Sequence, residues 1–405
     1  MDTHLKTSGF SASAIDPCLY YRIRKEDYTI IALIVDDMIV ATNTKVGDIL
    51  EIMERRFKMK NLGEVKWCLG MKVSRDRDNN YVYLSQDTYI GKVMRAFKMD
   101  DPKVKGADTP GSTSKRMSKA DCSEVGTKEK WPYRAIVGSL IYGCITRPDI
   151  QHMVGVLSRF CSRPGLPHWE GAKRVLRYLK STINLRIRLG GKVPIFYGYA
   201  DADWCGENAT TMDECRSTSG GIVYLGDGPI WWLSKVQRVT ALSTTEAEYV
   251  ATGVTTMGYA DQETKIAGND TFDMKTIVAK QDQYAKTLTV THTICSLLGL
   301  RAMLKEIGCP QKPTIIFTDS KGNFDSIKNP INTKLRHVNM RYHRVRQAVR
   351  DDQIKVMHLG TKDMIADIFT KCMTIKEFTR LRELSLGFGV KPGLPMELKE
   401  RLGYN

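Results

Sequence analysis

The sequence predicts a mixed α/β (α+β) chain built of more than one domain. Three observations predict it. The chain has 405 residues, 42% of them hydrophobic, enough for a sizeable core divided over two or three domains. A strand–turn–strand pattern stands near the N-terminus. Beyond residue 192, three strand-like runs are followed by helices alternating with strands, as in a mixed sheet.

Residues 17–42, PCLYYRIRKEDYTIIALIVDDMIVAT, set two β-rich runs around adjacent aspartates. Residues 45–60 are amphipathic, with Ile49, Ile52, Met53 and Phe57 on one helical face. Strands are expected around Trp67–Val73 and Tyr81–Leu84, then a helix from Gln86 to Phe97. Residues 100–130 are polar and read as a linker. The pattern is helical again from Tyr133 to Ser181. Within it, GAKRVLRYLK (171–180) puts Val175, Leu176 and Leu179 on one side and Lys173, Arg174, Arg177 and Lys180 largely on the other. Two readings stand: a core helix with a solvated basic face, or a helix lying along phosphates.

A second domain is expected from about Lys192. It comprises strands at 193–203, 219–225 and 229–235, a helix from 244, a helix at 294–307, a strand at 313–318, a helix at 334–350, a strand at 353–358 and a helix at 363–371. No internal repeat is visible.

Lysine and arginine number 61 against 45 acids, a net charge of +16. This balance suggests a polyanionic partner, nucleic acid by default; a merely soluble basic protein is the alternative. The ten cysteines are scattered singly, as at Cys68, Cys144, Cys205 and Cys309, with no CxxC pair. That argues against zinc and disulfide frameworks and for reduced thiols in an intracellular protein. No signal segment opens the chain, and the apolar run Ile30–Val35 is far too short to span a bilayer.

Asp36 and Asp37 fall at the tip of a hairpin, where two carboxylates can hold divalent metal; an ordinary Asp-rich turn is the other reading. In the second domain four segments each offer an acid. In GYADADWCG, Asp201 and Asp203 share one face of a strand. In ALSTTEAEYVA, Ser243 and Glu246 fit a capping box, which leaves Glu248 as the metal-ligand candidate. In TIIFTDSKGN, Asp319 closes an apolar strand, where sites in α/β sheets open. In DMIADIFTK, Asp367 is expected on an amphipathic helix. Together they form a candidate two-metal constellation for in-line phosphoryl displacement, in which ions lie about 3.5–4 Å apart. An all-carboxylate site suits hard Mg²⁺, or Mn²⁺.

Several phrases, in this order, are specific in combination: DPCLYYR (16–22), VDDM (35–38), MKNLGEVKWCLGMKV (59–73), LSQDTYI (84–90), YRAIVGSLIYGCITRPDI (133–150), HWEGAKRVLRYLK (168–180), GYADADWCG, RSTSGG (216–221), STTEAEYVA, RHVNMRYHRVR (336–346) and ADIFTK (366–371). Over most of residues 5–258 and 295–388 they resemble the copia-type (Pseudoviridae) retrotransposon Pol polyprotein, in its C-terminal part. The resemblance implies a partial reverse transcriptase palm and the start of a thumb over 1–110, and a linker and helical connection over 111–190. A ribonuclease H-like mixed-sheet domain over 191–388 completes it; a tail over 389–405 follows, in which the stretch from Lys391 has no counterpart in the family pattern.

It further implies that Asp36 and Asp37 are the paired palm aspartates. Asp201, Glu248, Asp319 and Asp367 would be the four ribonuclease H carboxylates, which hold metal to hydrolyse the RNA strand of an RNA–DNA hybrid. Arg336, His337, Arg341 and His343 belong to a basic motif suited to gripping the hybrid, with a structural role open for each histidine. RNA, DNA and their hybrid are the implied partners, with no membrane. The implied location is the cytoplasm, in a virus-like particle, or the nucleus.

The sequence departs from the pattern in places. Ile34 stands where the family carries tyrosine. The family's first palm aspartate and its fingers would precede residue 1, so primer extension by this chain alone is not expected. Residues 259–294 have no counterpart and interrupt the helix expected to carry Glu248. Two other readings are a catalytically inactive remnant that only binds nucleic acid, and, less well matched in acid spacing, another nuclease or integrase of the same fold.

Overall fold

The structure, a computed structural model, describes residues 1–114, 117–124, 131–203, 216–237, 247–252, 297–328 and 344–404. It is a mixed α/β chain with three sheets among the described residues, and its contacts define two compact units.

The first unit contains residues 1–65 together with 297–312. Its sheet is an antiparallel meander, β1 (Ser11–Ala12), β2 (Leu19–Arg24), β3 (Asp27–Ile34) and β4 (Asp37–Thr42). The first β-rich run is therefore itself a hairpin. Arg24 pairs with Asp27, and Lys25 takes φ 58° in the turn. No Gly or Asn marks that turn, so local sequence did not announce it. The helix Val46–Glu54 buries Ile49 and Met53 against Leu5, Phe10, Tyr20 and Ile31, as its amphipathic spacing predicts. The helix Leu297–Glu306 groups with this unit, although its position in the chain falls inside the expected 191–388 segment. The Glu306 carboxylate explains the attachment: it accepts from Ser13 Oγ at 2.5 Å and from the Ala14 N–H at 3.1 Å.

The second unit contains residues 66–255 and 313–405. One sheet is antiparallel, β5 (Trp67–Cys68), β6 (Met71–Asp76), β7 (Tyr81–Ser85) and β8 (Ile187–Gly190). The other has five strands in the order β11 (Gly228–Val236), β10 (Thr218–Leu225), β9 (Phe196–Asp203), β12 (Thr314–Thr318) and β13 (Ile354–His358). β9, β10 and β11 are antiparallel neighbours, while β12 runs parallel to both β9 and β13. Every residue of β12 is buried, as a parallel strand covered on both faces requires.

The helices Tyr133–Gly143, Gln151–Ser158, Leu166–Ser181 and Ile375–Ser385 share one core with this sheet. Within that core Arg147 and Asp149 form an ion pair at 2.7 Å, both almost fully buried. Tyr178 donates its hydroxyl to Asp149, and Arg147 donates to the Thr182 carbonyl at 3.0 Å. A buried pair persists only when its remaining donors and acceptors are satisfied in this way. No helix among the described residues is long and apolar enough to cross a membrane.

One element differs from its expected form. Residues 363–371 are not an amphipathic α-helix; the chain makes short 3-10 turns at Thr361–Asp363 and Ile365–Phe369. All five residues Ile365–Phe369 are buried, so the segment has no solvated face to support a longer helix. It lies against β9, β10 and the Ile375–Ser385 helix. Gly220 of β10 makes room for it: a Cβ there would stand 2.7 Å from Thr370 Cγ2 and 2.8 Å from the Ala366 carbonyl. Gly220→Ala is therefore expected to destabilise the protein by about 1–3 kcal/mol through overpacking. Urea denaturation measures this; an unchanged midpoint would show that the turn does not rest on the sheet as described.

Candidate carboxylate site

The site forms at one end of the five-stranded sheet. Asp201 sits near the end of β9, paired with Gly220 and only 4% exposed. Asp319 immediately follows β12, the parallel neighbour of β9. Glu248 lies on the helical residues 247–252, and its Oε1 accepts from the Ala202 N–H at 2.9 Å. The fold thus brings an acid from a strand, one from a strand end and one from a helix to a single point. Ligating oxygens of Asp201, Glu248 and Asp319 all lie within 4.8 Å of one another.

Two buried amides hold the Glu248 segment in place. Gln237 donates to the Ala247 carbonyl at 2.8 Å and to Ser219 Oγ at 3.0 Å. Asn323 donates to Thr252 Oγ1 at 2.8 Å and to Thr318 Oγ1 at 3.2 Å. One amide ties the segment to the β10 side of the sheet, the other to the end of β12.

Asp367, on the 3-10 turn, lies outside this three-acid group but faces Asp201. Its Oδ2 is ion-paired with Lys371 at 2.9 Å. Thr370, buried beside it, donates its hydroxyl to Asp201 Oδ2. Asp203 shares a face with Asp201 but accepts from the Thr218 backbone N–H; burial pushes its carboxyl up to about 6.

The electrostatics are those of like charges crowded out of water. Burial pushes the Glu248 carboxyl well above the usual range, and the charges of Asp201 and Asp319 push it further. Burial and then Asp201 raise Asp319. Burial and then Asp201 raise Asp367 to about 8, against the opposing pull of Lys371. Among the described residues, Glu248 Oε2 and Asp367 Oδ1 are buried without a hydrogen-bond partner. Orphaned oxygens in an all-oxygen donor set fit a hard divalent cation.

The other residues singled out in the sequence fall elsewhere. Asp36 and Asp37 are exposed at the tip of the β3–β4 hairpin, where Ile34 pairs with Asp37. Val35 takes φ 56° in that two-residue turn, a conformation that costs a non-glycine residue roughly 1–2 kcal/mol. Neither aspartate belongs to a group of three or more ligating side chains among the described residues. Ser243, Glu246, Arg336, His337, Arg341, His343 and the 259–294 stretch lie outside the described residues.

The basic face of the Leu166–Ser181 helix is occupied by the chain's own linker. Arg174 donates to the Gly111 carbonyl at 3.2 Å and to Thr109 Oγ1 at 2.9 Å. Arg177 donates to the Lys105 carbonyl at 2.7 Å, and Lys180 to the Asp101 carbonyl at 2.6 Å. Lys173 pairs with Glu170 at 2.7 Å. Sequence reasoning missed Gln237, Asn323, Thr370 and Lys371. Thr370 and Lys371 stand inside the ADIFTK phrase and Asn323 four residues after Asp319, but nothing local marks their partners.

The reverse transcriptase (RNA-dependent DNA polymerase) family profile matches residues 1–110. The Pol polyprotein of transposon TNT 1-94 from Nicotiana tabacum is 33% identical over 390 residues, 95% of this chain and 26% of that protein. The Pol polyprotein of transposon RE1 from Arabidopsis thaliana is 32% identical over 93% of this chain and 23% of its own length. A putative transposon Ty5-1 protein from Saccharomyces cerevisiae is 33% identical over 62% of this chain and 81% of its own. The chain spans about a quarter of the length of the two plant polyproteins. No solved structure matches it significantly.

The raised carboxyls set the pH dependence of stability. An acid whose folded pKa exceeds its unfolded value stabilises fully below the unfolded value and loses that contribution as pH climbs through the folded one. For Asp367 the window runs from the ordinary 3.8 to about 8. Metal-free protein is expected to melt at progressively lower temperature between these limits, and Asp367→Asn to flatten the slope. Melting curves in EDTA across the range test it; parallel profiles for the two proteins would refute it.

Proposed function

The chain belongs to the copia-type retrotransposon Pol polyproteins, and on that premise we propose that its second unit is a ribonuclease H that cleaves the RNA strand of RNA–DNA hybrids with divalent metal ions. The observation that carries this reading is the convergence of Asp201, Glu248 and Asp319 within 4.8 Å at the end of the sheet, with Asp367 beside them. Four acids that lie far apart in the chain have no structural need to meet in a buried place, where their mutual repulsion opposes folding.

Asp201, Glu248, Asp319 and Asp367 would hold Mg²⁺ or Mn²⁺. Such ions activate a water and stabilise charge on both sides of an in-line displacement at phosphorus. The protein's own contribution is positioning. The Ala202 N–H and the Thr370 hydroxyl orient Glu248 and Asp201. Gln237 and Asn323 hold the Glu248 segment so that its free oxygen faces the other acids. A net charge of +16 suits a polyanionic hybrid. In the first unit, Asp36 and Asp37 would supply two carboxylates of a polymerase palm site from an exposed hairpin tip.

The alternative of an inert remnant that binds nucleic acid through the basic face of the Leu166–Ser181 helix is less well supported. Arg174, Arg177 and Lys180 of that face already hold the linker.

The test is cleavage of a labelled RNA–DNA hybrid in Mg²⁺ or Mn²⁺. Asp319→Asn is expected to lower the rate at least 100-fold, equivalent to about 3 kcal/mol of transition-state stabilisation, without lowering the melting temperature in EDTA. Cleavage that survives this substitution would remove the site assignment.

A further inference from the structure

We propose that Lys371 is the resident counter-cation of the acidic cluster, paired with Asp367 in the metal-free protein and displaced when a divalent ion takes that carboxylate. The inference rests on the ribonuclease H reading for its second half only; the pairing itself is a feature of the fold.

Asp367 and Lys371 are four apart, and the Lys371 N–H donates to the Asp367 carbonyl at 3.2 Å, so a single turn brings both side chains to the same side. The ammonium stands 2.9 Å from Asp367 Oδ2. The pair is asymmetric: the Asp367 side chain is 9% exposed, that of Lys371 45%. The acid is fixed in the wall of the site, while the cation reaches it from solvent on a flexible stem. Lys371, with 45% of its side chain exposed, can therefore swing toward solvent while Asp367 stays in place.

The other Asp367 oxygen, Oδ1, is buried and has no hydrogen-bond partner among the described residues. Asp201, Glu248 and Asp319 form the close group, and Asp367 is the acid left out of it. Among the described residues it is also the acid of the four that is ion-paired with a cation. A lysine at this point supplies one positive charge against four carboxylates, whereas a divalent ion supplies two and ligates directly. Ammonium and metal compete for the same oxygen, so the ion enters at the expense of the pair.

Two readouts on the full chain test this, with Lys371→Met and Lys371→Arg. In EDTA at pH 8, Lys371→Met is expected to melt about 2–6 °C lower, the shift of a modest lost stabilisation in a unit this size, while Lys371→Arg stays near wild type. In an Mn²⁺ titration followed by electron paramagnetic resonance, Lys371→Met is expected to bind about three- to tenfold more tightly, having lost its competitor. A residue that merely supported the fold would weaken both. Equal or weaker Mn²⁺ binding by Lys371→Met overturns the competition. Wild-type protein that binds no Mn²⁺ overturns the hydrolase reading; the counter-cation role is then decided by the EDTA melting difference alone, and its absence overturns that role.

Discussion

Repulsion between carboxylates held together out of water is the constraint around which the second unit is organised. Asp201, Glu248 and Asp367 are each at most 6% exposed, and Asp319 closes the group. Left to themselves these groups would separate, since each ionised neighbour and each lost water raises the free energy of the charged form. The surrounding structure prevents it. Sheet pairing fixes Asp201 against Gly220, and the parallel β9–β12 pair fixes where Asp319 emerges. Hydrogen bonds from Ala202, Gln237, Asn323 and Thr370 fix the rest.

A scaffold that opposes its own electrostatics needs a rigid core, and the second unit has one. Tyr197, Tyr199, Tyr224 and Phe317 pack ring against ring beneath the sheet, with Tyr197 and Tyr224 stacked at 5.2 Å. The tail after residue 389 belongs to the same structure. Tyr199 donates to the Pro392 carbonyl at 2.7 Å, and Tyr404 joins Tyr81 on the buried Asp227 carboxylate. Pro392 and Tyr404 of the tail thus serve the packing that keeps the acids in place.

The first unit sets its acids in the opposite environment. Asp36 and Asp37 are solvated at a hairpin tip, so they carry no desolvation cost and need no supporting network. What is unusual there is the backbone: a β-branched residue, Val35, at positive φ. The two units therefore present carboxylates by different means, one by a strained turn in water and the other by a buried cage.

Much of this was legible in the chain itself. The β-rich runs on either side of Asp36 and Asp37 marked the strands that flank them. The spacing of Ile49 and Met53 marked a helix, and the position of Asp319 after TIIFT marked a strand end facing a site. Those features are local, because side-chain periodicity reports which face of an element is apolar. Tertiary structure alone decided the rest. Residues 67–85 find their sheet partner at 187–190, about a hundred residues away, and the 3-10 form of Ile365–Phe369 follows from burial on all sides. Arg174 and Arg177, which look like a free basic face in one dimension, are turned to the linker by the way the chain returns. The pairing of Asp367 with Lys371 is local in spacing, but its meaning is not: only convergence with Asp201 makes that ammonium the balance for a buried cluster. Residue types and their order determine what each segment offers; which offers meet depends on long-range packing, which no local pattern encodes.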